Sequence, residues 1–219
     1  MSKTQPCKLE SAPKPCTWVQ QWGEGQDEIV DCDSVIGVAD WARRFTINRL
    51  DNDVSNCVER CVVGTYQIGY LYDHICMEEK REYQKIAKKK YIAEGVASVL
   101  LHFIASYEMT GREFIKIYNV HNWDYRWSSL LNMELEGMEL KSSSYSHLSI
   151  VASHVYKYQR WILYHHMNRA KRWNEDQFQE ALRELVFRMC LIARKEGCDL
   201  ASGFQECMQK LLDLEIKRH

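Results

Sequence analysis

The chain has 219 residues, 46% of them hydrophobic, enough for one large domain or two small ones, so disorder along its whole length is excluded. Its 29 basic residues stand against 30 acidic ones, and this balance leaves no overall electrostatic footprint for unspecific nucleic-acid binding. No apolar run approaches the roughly 20 residues that cross a bilayer, and the opening MSKTQPCKLESAPKPCTW lacks the continuous apolar stretch of a secretory signal.

Pro6, Pro13 and Pro15 are the chain's three prolines, and the polar sequence around them continues through QQWGEGQDE. Residues 1–33 are therefore expected as a flexible N-terminal arm. Beyond it the i, i+3, i+4, i+7 recurrence of amphipathic helices takes over, and no proline interrupts it. Ser34 is placed to cap a helix whose apolar face is Val35, Val38, Trp41, Ala42 and Phe45. A longer helix follows, with Val54, Val58, Cys61, Val62, Thr65, Ile68, Gly69, Tyr72, Ile75 and Cys76 along one side. The charged run EEKREYQKIAKKKYI, residues 78–92, reads as a link to a third helix carrying Val96, Val99, Leu100, Phe103, Ile104 and Tyr107. Thr110 and Glu113 have capping-box spacing ahead of a fourth, with Phe114, Ile117 and Tyr118.

The second half follows the same order. Ser146 precedes a stripe of Leu148, Val151, Ala152, Val155, Tyr158, Ile162 and His165. After the charged MNRAKRWNEDQ, Asn174 and Gln177 open a helix that buries Phe178, Ala181, Leu182, Leu185, Met189 and Ile192. Gly197 is placed to end it in the left-handed conformation. Asp199 then caps a last helix with Leu200, Phe204, Cys207, Met208 and Leu211. The pattern recurs at a separation of about 85 to 90 residues, which predicts an all-α bundle with a first helical repeat over 34–127 and a second over 128–219.

The segment RKEGCDLASGF, preceded by LVFRMCLIA, carries a G-x-D-L break between helices, and CVVGTYQIGYLYDHI and VASVLLHFIASY stand in the corresponding places of the first half. In these segments, which together touch most of residues 35–215, the chain resembles the all-α nucleoside triphosphate pyrophosphohydrolases, the MazG-like family that includes dCTP pyrophosphatases and dimeric dUTPases. The resemblance implies two helical repeats packed as a pseudo-dimer. It also implies an E-x-x-E helix beside an E-x-x-D helix, because carboxylates three residues apart share a helix face and two such faces gather around Mg²⁺.

The family's acid positions fall here on Thr65, Ile68, Gly95 and Ser98 in the first half, and on Val151, His154, Ala181 and Glu184 in the second. One carboxylate of eight remains. The expectation is a degenerate pyrophosphohydrolase without metal or cofactor, acting as a binding or scaffold subunit through protein contacts. An active enzyme using displaced acids such as Glu94, Glu180 and Glu184 is the alternative.

A third reading is an RNA-associated subunit. It rests on two basic clusters, Lys80, Arg81, Lys85, Lys88, Lys89 and Lys90 in one and Arg169, Lys171 and Arg172 in the other, which are candidate contacts for phosphate or RNA. The more frequent role of such runs is a solvated face. Nine cysteines without an export signal read as reduced, buried thiols of an intracellular protein, Cys57 and Cys61 included. His165 and His166 are adjacent and point about 100° apart on a helix, so they do not share one ion. No GxxxxGK[ST], GxGxxG or HExxH occurs. Among seven tryptophans and twelve tyrosines, any that stay exposed are suited to anchor a partner.

Overall fold

In the computed structural model the described residues are 17–21, 27–49, 54–77, 81–118, 125–129, 142–167 and 174–216. The fold is an all-α bundle. Its helices are α1 (Val35–Arg49), α2 (Val54–Cys76), α3 (Glu82–Glu108), α4 (Ser144–His166), α5 (Glu175–Lys195) and α6 (Leu200–Ile216), with a 3-10 turn over Phe114–Tyr118. None is long and apolar enough to cross a membrane.

α2 and α3 form one helical hairpin, and α4 and α5 form another. The hairpins pack side by side, α2 against α4 and α3 against α5, while α1 and α6 both rest on α3. The reason lies in α3 itself, which is buried on nearly every side from Ile92 to Tyr107. A helix that is apolar all round belongs at the centre of a bundle. One core joins both halves of the chain: Tyr107 and Tyr158 each stack on Phe178, with centroids 5.2 and 4.8 Å apart.

Several helix ends follow from single residues. Ser34 Oγ accepts the Gly37 amide (3.1 Å), Asn174 Oδ1 accepts that of Gln177 (3.0 Å), and Asp199 Oδ1 accepts that of Ala201 (3.1 Å). Gly197, at φ +63°, ends α5, and the Cys198 amide closes back on Ala193 O at 2.8 Å.

Other expectations need correcting. Residues 82–92 are the first turns of α3 and not a link, because Lys, Glu, Gln and Ala are good helix formers whatever their charge. The fourth helix is only the 3-10 turn. Thr110 does not cap it: its hydroxyl donates to Tyr107 O, Gly111 takes φ +78°, and Glu108 Oε1 accepts the Phe114 amide at 2.7 Å. α4 starts three residues earlier than expected, with Ser143 Oγ, rather than Ser146, accepting an end amide.

The N-terminal arm also holds structure. Thr17–Gln21 pairs antiparallel with Asp27–Asp31, Thr17 opposite Asp31. Thr17 and Val19 in one strand and Ile29 and Val30 in the other favour the extended chain. Val30 and Cys32 enter the core, and Arg126 ties this segment to the middle of the chain through Asp33 at 2.9 Å. Trp127 continues the tie by packing on Phe204 of α6.

On α2 the apolar face is rotated from the one expected. The inward row is Cys57, Cys61, Gly64, Leu71 and Ile75, whereas Val62, Thr65, Gly69, Tyr72 and Cys76 face out. Small residues decide the choice: a Cβ on Gly64 would lie 2.8 Å from the Phe103 ring, so α2 approaches α3 along its Cys and Gly side. Gly69, by contrast, has nothing within 4 Å of where its Cβ would be. Gly69→Ala is expected to stabilise the protein by about 1 kcal/mol through helix propensity alone. Urea unfolding at fixed protein concentration measures it.

Candidate functional site

A cleft of about 650 Å³ lies between α4 and α5. α4 contributes His154, Lys157, Arg160 and Trp161, while α5 contributes Asp176, Gln177, Glu180, Ala181 and Arg183. His154 and Ala181 are two of the four positions at which the resemblance places acids in the second half. The other two are close by: Val151 is fully buried in the core, and Glu184 faces His154 closely enough to act on its titration.

One pair of the cleft's charges is matched directly. Glu180 binds Arg183 at 2.9 Å, and one turn on Glu184 binds Arg188 at 3.3 Å. The Arg160 Nε donates to Tyr164 Oη at 3.1 Å, and its guanidinium lies over the Trp161 and Tyr164 rings. His154 is half-buried, and its Nδ1 makes no hydrogen bond within the protein. Burial holds its pKa below the usual imidazole value, Lys157 adds to that, and Glu184 opposes it. The cleft thus offers a neutral imidazole, three basic side chains, two carboxylates and an indole edge. Its two carboxylates, Asp176 and Glu180, stand at i, i+4 on α5.

The first-half positions do not meet in a cleft at all. Thr65 sits on the outer seam between α2 and α4, where its hydroxyl donates to Cys61 O and accepts from Gln159 Nε2, both at 2.7 Å. Ile68 packs against the core. Gly95 is buried with Leu71 Cδ1 3.2 Å from where its Cβ would be, and Ser98 is a buried partner of the Cys207 thiol. Glu94, the displaced acid considered above, pairs with Lys210. Among the described residues no three His, Cys, Asp or Glu side chains are grouped to hold a metal ion.

The basic run on α3 has local partners. Lys90 binds Glu206 at 2.8 Å, Lys85 approaches Glu82 at 3.5 Å, and Lys88 donates to Met77 O at the end of α2. Lys89 lies over Gly197 and accepts the Cys198 thiol at its carbonyl. With Glu94, Asp199 and Ser202, Lys89 and Lys90 line a smaller cleft of about 400 Å³ between α3 and α6. Lys88 and Lys90 thus tie α3 to the end of α2 and to α6. Arg169, Lys171 and Arg172, like Lys80, lie outside the described residues, as do the side chains of His165 and His166.

Cys57 and Cys61 are buried thiols in a polar network. Cys57 Sγ donates to Ser106 O at 3.0 Å, and Ser106 Oγ lies 2.9 Å from Tyr158 Oη. Burial pushes the Cys57 thiol up to about 12 and that of Cys61 up as well, far from a metal-binding thiolate. Cys57, Cys61, Cys76, Cys198 and Cys207 form no disulfide.

Lys157, Arg160, Trp161 and Arg183 were not among the residues singled out in the sequence. The i, i+3, i+4 spacing of Lys157, Arg160 and Trp161 on α4 is visible there, but only the α4–α5 packing sets it opposite Glu180 and Arg183. No family model, curated protein or solved structure matches this chain.

Proposed function

We propose that the chain is a non-catalytic helical binding subunit, derived from a MazG-like nucleotide pyrophosphohydrolase and acting through protein–protein contacts. One observation carries the reading. Where such an enzyme would gather carboxylates around Mg²⁺, Gly95, Ser98, Val151 and Ala181 serve as core, and Glu184 is engaged by Arg188. Glu180 and Glu184 are each engaged by an arginine and Glu94 by a lysine, so these acids do not make the oxygen-rich cage that magnesium needs.

The contact surface that supports the binding role is the outer side of α2 and α4. Tyr66 is 74% exposed, Tyr156 68% and Val62 58%. Interface centres are enriched in tyrosine and poor in charge, and large apolar groups concentrated on neighbouring helices mark such surfaces better than scattered ones do.

Purified protein incubated with a panel of NTPs and dNTPs plus Mg²⁺ is expected to release no pyrophosphate above the protein-free control. Release that disappears in Glu184→Ala would overturn the reading.

A further inference from the structure

We infer that the outer face of α2 and α4 is covered by a second copy of this chain, related by a two-fold axis lying in the face and running along the helices. The inference rests on the protein–protein reading above and names the occupant of that surface.

The two helices lie antiparallel. Gln159 of α4 meets Thr65 of α2 at 2.7 Å, and further along Tyr145 packs edge-on to Tyr72 with centroids 5.6 Å apart. Their outward residues form an apolar centre of Val62, Tyr66, Tyr156 and Leu163.

The charges flanking that centre are segregated by helix. From Cys57 to Met77 the exposed charged residues of α2 are Glu59 and Asp73, both acidic, because Arg60 is buried. α4 contains no Asp or Glu from Ser144 to His166, and its charged residues, Lys157 and Arg160, are basic, exposed and shared with the rim of the α4–α5 cleft. The face is therefore acidic along one half and basic along the other.

Such a surface is self-complementary under one simple operation. A two-fold axis along the seam lays α2 of each copy over α4 of the other, so acid meets base twice and the apolar centres meet once. A partner whose surface carried a single sign would match one helix and repel the other. The antiparallel run of α2 and α4 also makes each crossing helix pair antiparallel, so the weak helix dipoles oppose favourably.

Sedimentation equilibrium of the full chain at tens of micromolar is expected to give twice the 25.9 kDa of one chain. The double variant Tyr66→Glu, Tyr156→Glu is expected to sediment as a monomer with unchanged helical circular dichroism, since both side chains are exposed in the single chain. Reversing the basic half with Lys157→Glu and Arg160→Glu is expected to weaken association at least about tenfold. Adding Glu59→Lys and Asp73→Lys should restore it to within about threefold of the original. A wild-type chain that stays monomeric, or a fourfold variant with no recovery, overturns the second copy as occupant. Neither result bears on the non-catalytic reading, which the pyrophosphate assay judges separately.

Discussion

Replacing Gly203 with alanine is expected to lower stability by about 2 kcal/mol, although alanine is the better helix former. α6 crosses the central helix at this residue. A Cβ there would stand 2.5 Å from Ala93 O, 2.7 Å from the same carbonyl carbon and 3.3 Å from Ala97 Cβ. These are backbone and Cβ atoms in the most enclosed helix of the bundle, with no flexible tip to swing aside. α6 would have to back away and loosen Phe204, Cys207 and Met208, all buried against the core. Overpacking of this kind costs up to about 3 kcal/mol, and the propensity gain of about 1 kcal/mol offsets only part of it. Urea unfolding of Gly203→Ala beside Gly69→Ala isolates the crossing, since the same chemical change meets empty space at Gly69. A Gly203→Ala midpoint equal to or above wild type would mean that α6 does not approach α3 this closely.

Acid is expected to destabilise the protein through His102. The residue is 4% exposed on α3, and burial holds its pKa down to about 3, with the positive charge of the buried Arg60 pushing the same way. The unfolded chain takes up this proton near pH 6.5, whereas the folded chain resists until about pH 3. Between those values the unfolded state holds more protons, so stability is lost as pH falls. From pH 7 to pH 4 the loss is about 3 kcal/mol. Glu108 acts with the opposite sign. Burial raises its carboxyl to about 7, against the hydrogen bond from the Phe114 amide, so its contribution is present below pH 4.5 and is lost as pH rises through 7. The difference between wild type and His102→Gln separates the two. That difference should shrink or reverse by about 3 kcal/mol between pH 7 and pH 4, and a pH-independent difference would mean that His102 protonates freely in the fold.

Much of this architecture is legible in the sequence because the signals are local. Ser34, Asn174, Gly197 and Asp199 act at the helix ends where they were expected. The apolar faces of α1, α3 and α5 are also those expected. What stayed hidden depends on contacts distant in sequence. α2 is apolar on two sides, so periodicity alone does not choose between them. Gly64 chooses by fitting under Phe103, and that leaves Val62 and Tyr66 outside. The lysines near the start of α3 were read as a charged link because their partners, Glu206 and Met77 O, come from α6 and the end of α2. The α4–α5 cleft escaped for the same reason: Lys157 and Arg160 gain meaning only beside Glu180 and Arg183. At the positions where the resemblance would place acids, Gly95, Val151 and Ala181 carry no ligating side chain in any packing.

Manganese, a paramagnetic substitute for magnesium, gives the most direct test of the proposal that the α4–α5 cleft holds no catalytic metal. Titrated into the isotope-labelled chain and followed by electron paramagnetic resonance and amide line widths, it is expected to show no stoichiometric site and no broadening centred on α4 and α5. A one-to-one manganese site, with signals bleached around His154, Glu180 and Glu184, would contradict the account.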